Sequence, residues 1–291
     1  MDSWGFLGYT MSMETDHSLI IQAGQGGLWG SLVECWKGRE LLSVLGWREV
    51  KVRYRQTLLG VAWAGLQPLV TMAVFFLVFH RMAGIDSGKI PYPLFAFAGL
   101  LPWLLFQTVL ERSSVSLVQD TGLVTKVYFP RLLVPLSRTA SGLVDFAVSL
   151  VLFGLLMIFY RTPLTWSIFL LPVFSLWALL ASVSVAVWLS ALNARYRDIA
   201  YVVPFLLRIW LFLSPVGYSI QDMSQRLPKA VALLFHLNPM TGVIEGFRWA
   251  LLGEAMDLSL ASWLSILVMS AILITGLFYF RKTERVLADV L

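Results

Sequence analysis

Four basic side chains, Arg48, Lys51, Arg53 and Arg55, stand directly ahead of a run from Gln56 to His80 that contains no Asp, Glu, Lys or Arg. Glu49 is the single acid among them. A cluster of guanidinium and ammonium groups binds phosphate and is retained on the cytoplasmic side of a membrane. At 1.5 Å per helical residue, about 20 uncharged residues cross a hydrocarbon core of roughly 30 Å. The pattern predicts a basic segment along the inner surface that then turns outward through the bilayer.

Two stripes of side chains could handle a polar cargo. Trp63, Gln67, Thr71 and Phe75 recur on one helical face, and Tyr201, Phe205, Arg208 and Phe212 do so further along. Aromatic faces stack on sugar rings, while Gln, Thr and Arg bond hydroxyls or phosphates. Each stripe is a candidate conduit lining; the alternative is packing against neighbouring helices or lipid. Asp145 and Arg208 are the charges inside expected spans, and such charges pair or line water. Either they form an intramembrane pair, or Arg208 contacts substrate.

Catalytic constellations are not expected. The nearest approach to a phosphate-cradling loop, Ala83 to Ile90 (AGIDSGKI), lacks the first glycine and the Ser or Thr after the lysine. His17, His80 and His236 are scattered and Cys35 is the single cysteine, so neither a metal site nor a disulfide is expected. An Asp-x-Asp or Asp-Asp pair for Mg²⁺ and a Gly-x-Ser-x-Gly elbow do not occur. The chain reads as a non-enzyme without a cofactor of its own.

The elements that must position these residues are membrane helices. Hydrophobic residues make up 58% of the 291 and charged residues 13%, with a mean hydropathy of +0.76. Soluble domains carry about 25% charged residues. Uncharged runs predict six spans: Gln56–His80, one between Lys89 and Glu111, Thr139–Tyr160, one between Arg161 and Arg195, Ile199–Gln221 and Leu258–Phe280. With both ends inside, most of the 22 Lys and Arg residues fall on the cytoplasmic side, as retention of positive charge requires. The net charge of +5 is then loop bias, not a nucleic-acid footprint. Residues 1–35 read as a tail without a cleavable signal, 36–56 as an amphipathic interface helix, 57–281 as the spanning domain and 282–291 as a cytoplasmic tail. Asn238-Pro239 breaks the segment before the last span, which predicts a re-entrant helical pair over 228–253.

Three ordered stretches carry a family resemblance: WREVKVRYRQTLLGVAWAGLQPL from Trp47, RYRDIAYVVPFLLRIWLFLSPVGYS from Arg195 and NPMTGVIEGFRWALLG from Asn238. Over roughly Trp36 to Lys282 the chain resembles the transmembrane subunits of type-2 ABC exporters for polysaccharides, the class that moves O-antigen, capsular polysaccharide or teichoic acid. The resemblance implies an all-α homodimer in the cytoplasmic (inner) membrane that exports a lipid-linked polysaccharide. ATP and Mg would be bound by a separate ATPase subunit. It further implies that the first and fifth helices line the conduit and that the loop Glu111–Arg138 docks on the ATPase. Asp120, Thr125, Lys126, Tyr128, Phe129 and Arg131 are the candidate contacts there, aided by Arg48 and Arg53. Arg195, Arg197 and Asp198 on the next inner loop could support the same contact. A drug, haem or lipid exporter, an ion-coupled transporter and a scaffold subunit are the competing readings.

Overall fold

In the computed structural model, residues 28–55, 60, 62–220, 235, 237–254 and 260–284 are described, and no strand occurs among them. The chain opens with α1 (Leu28–Lys37) and α2 (Arg39–Tyr54), followed by α3 (Ala62–Phe75), which runs on as a π-helical stretch to Met82. Then come α4 (Tyr92–Gln119), the short α5 (Thr121–Lys126) and α6 (Leu133–Ser137), and the long α7 (Thr139–Phe159). A 3₁₀ turn (Trp166–Leu170) leads into α8 (Leu171–Arg195); α9 (Ile199–Leu213), α10 (Pro239–Leu252) and α11 (Leu260–Glu284) complete the described order.

Five stretches are long and apolar enough to cross a membrane: Ala62–Met82, Tyr92–Gln119, Leu133–Phe159, Trp166–Arg195 and Trp263–Glu284. The chain is therefore a multi-pass membrane protein. α4 is the centre of the bundle. It is apolar on all sides, as a helix surrounded by others must be, and Leu94, Phe97, Trp103 and Phe106 are wholly buried on it. It packs on α3, α7, α8, α9 and α10. A second apolar cluster joins the ends of α4, α8 and α11 to α5 and α6 through Leu117, Val124, Leu133, Ala191 and Phe280. Because Arg48, Arg112, Lys126, Arg138 and Arg281 gather around it, we call this the basic end.

Four boundaries differ from the sequence expectation. The interface segment is two helices broken at Gly38, and the first begins at Leu28, inside the expected tail. The loop expected from Glu111 is helical as far as Gln119, because α4 extends past its uncharged core and buries Ser113, Ser116 and Leu117. The expected fifth span stops at Leu213: Ser214 is extended (ψ 144°), as the residue before Pro215 prefers. At 1.5 Å per residue α9 reaches only about 22 Å. Of the expected re-entrant pair, the second half is α10, while most of the first half lies outside the described residues. Asn238 caps α10 by accepting from the Met240 amide at 3.0 Å, Pro239 occupies its first turn, and Gly253 ends it in the left-handed region (φ 71°).

Candidate functional site

At the basic end, side chains from four elements meet in ion pairs. Arg48 of α2 donates to both carboxylate oxygens of Asp120, at 2.9 Å each. Arg138, between α6 and α7, donates to Asp120 at 2.6 Å and also bonds Glu49. Glu49, on the buried face of α2, receives Arg112 of α4 at 2.8 Å. One helical turn along α2, Arg53 and Tyr54 both bond Asp145 of α7. Burial and the bond to Asp145 push the Tyr54 hydroxyl well above its ordinary pKa.

These bonds revise the intramembrane pair. Asp145 faces Arg53, and no ion pair joins it to Arg208. The reason is packing: α2 lies against α7 and brings Arg53 to Asp145, whereas Arg208 stands on the exposed face of α9.

The candidate docking residues divide by burial. Thr125, Lys126 and Tyr128 are exposed, with the Thr125 hydroxyl donating back to the Thr121 carbonyl. Phe129 is buried in the second apolar cluster, and Arg131 donates to the Glu284 carbonyl at 2.6 Å. Asp120 and Arg53 are engaged in ion pairs within the protein, and Arg48 pairs with Asp120 from the exposed rim. Val124 and Leu123 turn inward, so α5 shows a polar face outward and an apolar face to the bundle.

The two stripes are exposed over most of their length. Tyr201 is 83% exposed, and Phe205, Arg208 and Phe212 follow on the same open face of α9. Trp63 and Gln67 are exposed on α3, Thr71 is half-buried, and Phe75 is buried. The stripes converge away from the basic end, where the Phe75 and Phe212 rings stack with centroids 6.3 Å apart. Phe79 lies against both rings and against Tyr218.

At the far end, Arg248 of α10 is buried. It donates to the carbonyls of Val216 at 2.7 Å and Tyr218 at 3.2 Å, in the turn that follows α9. Tyr92, at the start of α4, donates to the neighbouring Gly217 carbonyl at 2.8 Å. Asn238 binds the same region, donating to the Ser214 hydroxyl and accepting from the Trp210 indole. α10 and the end of α9 are thereby fixed as one cap at the end away from the basic cluster.

Sequence reasoning missed Glu49, Arg112, Arg138 and Arg248. Glu49 had a signal: a lone acid in a basic run asks for a reason, and burial beside two guanidinium groups supplies it. Arg248 had one too, as a charge within an otherwise apolar half-helix.

Residues 40–252 match the family described as ABC-2 type transporter. The chain is 35% identical over 219 residues to the O-antigen export system permease protein RfbA of Myxococcus xanthus, covering 74% of this chain and 81% of that one. It is 25% identical over 256 residues to the RfbA of the same description from Klebsiella pneumoniae, covering 87% and 95%. Identity to the polysialic acid transport protein KpsM of Escherichia coli is 23% over 223 residues, covering 70% and 78%. The family match begins in α2 and ends with α10, taking in the basic end, both stripes and the cap: the chain belongs to the ABC-2 type transporter family, as a membrane transport subunit.

Proposed function

We propose that this chain is the permease subunit of an ATP-driven exporter that carries a lipid-linked polysaccharide out across the cytoplasmic (inner) membrane. The observation that carries the reading is the open face of α9, where Arg208 stands among Tyr201, Phe205 and Phe212. A guanidinium deep in an apolar helix is not left against lipid, and rings beside a cation suit a sugar chain that bears anionic groups. The relatives named for O-antigen export and polysialic acid transport support the same substrate class.

In this reading the basic end is cytoplasmic and both termini lie inside. α9 with its following turn serves as a sixth crossing, and α10 is a re-entrant helix. Two copies enclose the conduit with the α3 and α9 stripes facing inward. A separate subunit binds ATP and Mg and docks on Thr125, Lys126 and Tyr128. Asp120, Phe129, Arg131 and Arg48 hold that segment from behind, and Arg53 ties α2 to α7.

The test is complementation of a strain lacking this gene. Wild-type chain restores surface polysaccharide, whereas Arg208→Ala leaves the lipid-linked polymer on the cytoplasmic side. Undiminished surface polysaccharide in the deletion strain would refute the reading.

A further inference from the structure

α4 and α5 are separated by Asp120 alone, whose backbone (φ −98°, ψ 27°) turns the chain between them. Any movement of α5 against α4 must pivot at this residue. The pivot carboxylate is held from two sides: Arg48 of α2 takes both oxygens, and Arg138 takes one. Arg138 also holds Glu49, which receives Arg112 of α4. Glu49 and Arg138 are only 4% and 7% exposed. Charge therefore alternates without a break along Arg48, Asp120, Arg138, Glu49 and Arg112.

Apolar contacts behind α5 set its separation from the bundle but resist sliding weakly, because dispersion has little directionality. Asp120 instead accepts from two guanidinium groups on different elements, Nη2 of Arg48 to both oxygens and Nη2 of Arg138 to one, and charge-assisted bonds from two sides fix direction as well as distance. Ion pairs that are buried are costly to break on one side, so the buried middle of the chain, Glu49–Arg138–Asp120, behaves as a rigid connection, while Arg48 closes it from the exposed rim.

We propose that Asp120, Arg138 and Glu49 are positioning residues that make α5, α2 and the start of α7 move as one body. Load on the exposed face of α5 then reaches α2, which leads into α3 and its stripe, and does not dissipate in the α4–α5 turn. The inference rests on the reading of α5 as the segment that meets the ATPase.

The test uses the full-length chain reconstituted with its ATPase subunit. Asp120→Asn and Glu49→Gln each remove one charge at constant shape. The expected result is ATP hydrolysis within about twofold of wild type but export per ATP lowered by about fivefold or more. Asp120→Glu and Arg138→Lys, which keep the charges, recover part of the loss. If Glu49→Gln fails to accumulate, Arg48→Gln at the exposed rim serves in its place. A second readout does not depend on transport: spin labels at the exposed positions Val44 and Gly122 in a Cys35→Ser background. In the otherwise wild-type chain the inter-label distance is the same with and without nucleotide, and Asp120→Asn makes it nucleotide-dependent. The proposal is overturned by wild-type export per ATP in the neutralised variants, or by a nucleotide-dependent distance with Asp120 intact. Failure of the underlying reading looks different: Tyr128→Ala and Lys126→Glu would leave the ATPase bound.

Discussion

The guanidinium of Arg248 lies over the face of Phe95, 3.6 Å from the ring centroid, so a cation stacks on an aromatic ring inside the bundle. Phe95 belongs to the central helix α4 and Arg248 to the cap helix α10. The contact joins the two while the same guanidinium donates to the turn after α9. Arg248→Met removes both donors and leaves two buried carbonyls unpaired, which costs about 1–3 kcal/mol each. Arg248→Lys keeps the charge but loses the fork. Thermal unfolding of the detergent-purified protein should rank wild type above Lys, and Lys above Met.

Gly99 makes that approach sterically feasible. A Cβ there would sit 3.1 Å from the Val216 carbonyl oxygen and 3.2 Å from Arg248 Nη2. Neither neighbour can retreat without loosening the cap, and overpacking of this kind costs about 1–3 kcal/mol. Gly99→Ala should lower the unfolding temperature, and should lower it much less when Arg248 is already Met.

The carboxylate of Asp145 gives a sharper contrast. Coupling is expected with Arg53 and not with Arg208. In double-mutant cycles on unfolding free energy, Asp145→Asn with Arg53→Gln should depart from additivity by more than about 0.5 kcal/mol. Asp145→Asn with Arg208→Ala should add within about 0.5 kcal/mol. A reversed pattern would place the Asp145 partner on α9.

Cys35 on α1 has its thiol pKa pushed up from 9.0 to about 11, by burial first and then by the carboxylates of Glu284 and Glu34. The thiolate is the reactive form, so maleimide labelling at neutral pH should be slow even though the site is only half-buried. The rate should climb as pH rises through 9 and level off only near the raised value. The sign for stability follows: folding favours the neutral thiol, so this contribution is complete below pH 9.0 and is lost towards pH 11. Labelling that levels off near pH 9 would show that α1 does not shelter the thiol.

Much of the architecture was legible because long uncharged runs have few alternatives. The run between Lys89 and Glu111 became the core of α4, and Asn238-Pro239 marked the start of α10 as expected. Length was less legible. Glu111 and Arg112 looked like the end of a span, yet α4 continues because its next residues meet apolar partners on α6 and α8 and because Glu49 awaits Arg112. The stripe spacings pointed to shared faces, but periodicity does not say which face is covered, and Phe75 proved buried where Trp63 is open. Charge pairing was the least legible. Arg48 and Asp120 are 72 positions apart, and Tyr54 and Asp145 are 91 apart. From sequence, a basic cluster that meets phosphate and one that meets buried carboxylates look the same.

The central position of α4 bears on how the protein is made. Emerging from the ribosome before α7, α8 and α10, this helix must wait in lipid, or beside the insertion machinery, for the neighbours that will surround it. Chains cut short before Pro239 would leave Phe95 and Phe247's neighbours on α4 without their cover, and membrane proteases should clear them quickly. Biogenesis, as well as transport, therefore hinges on the late arrival of α10.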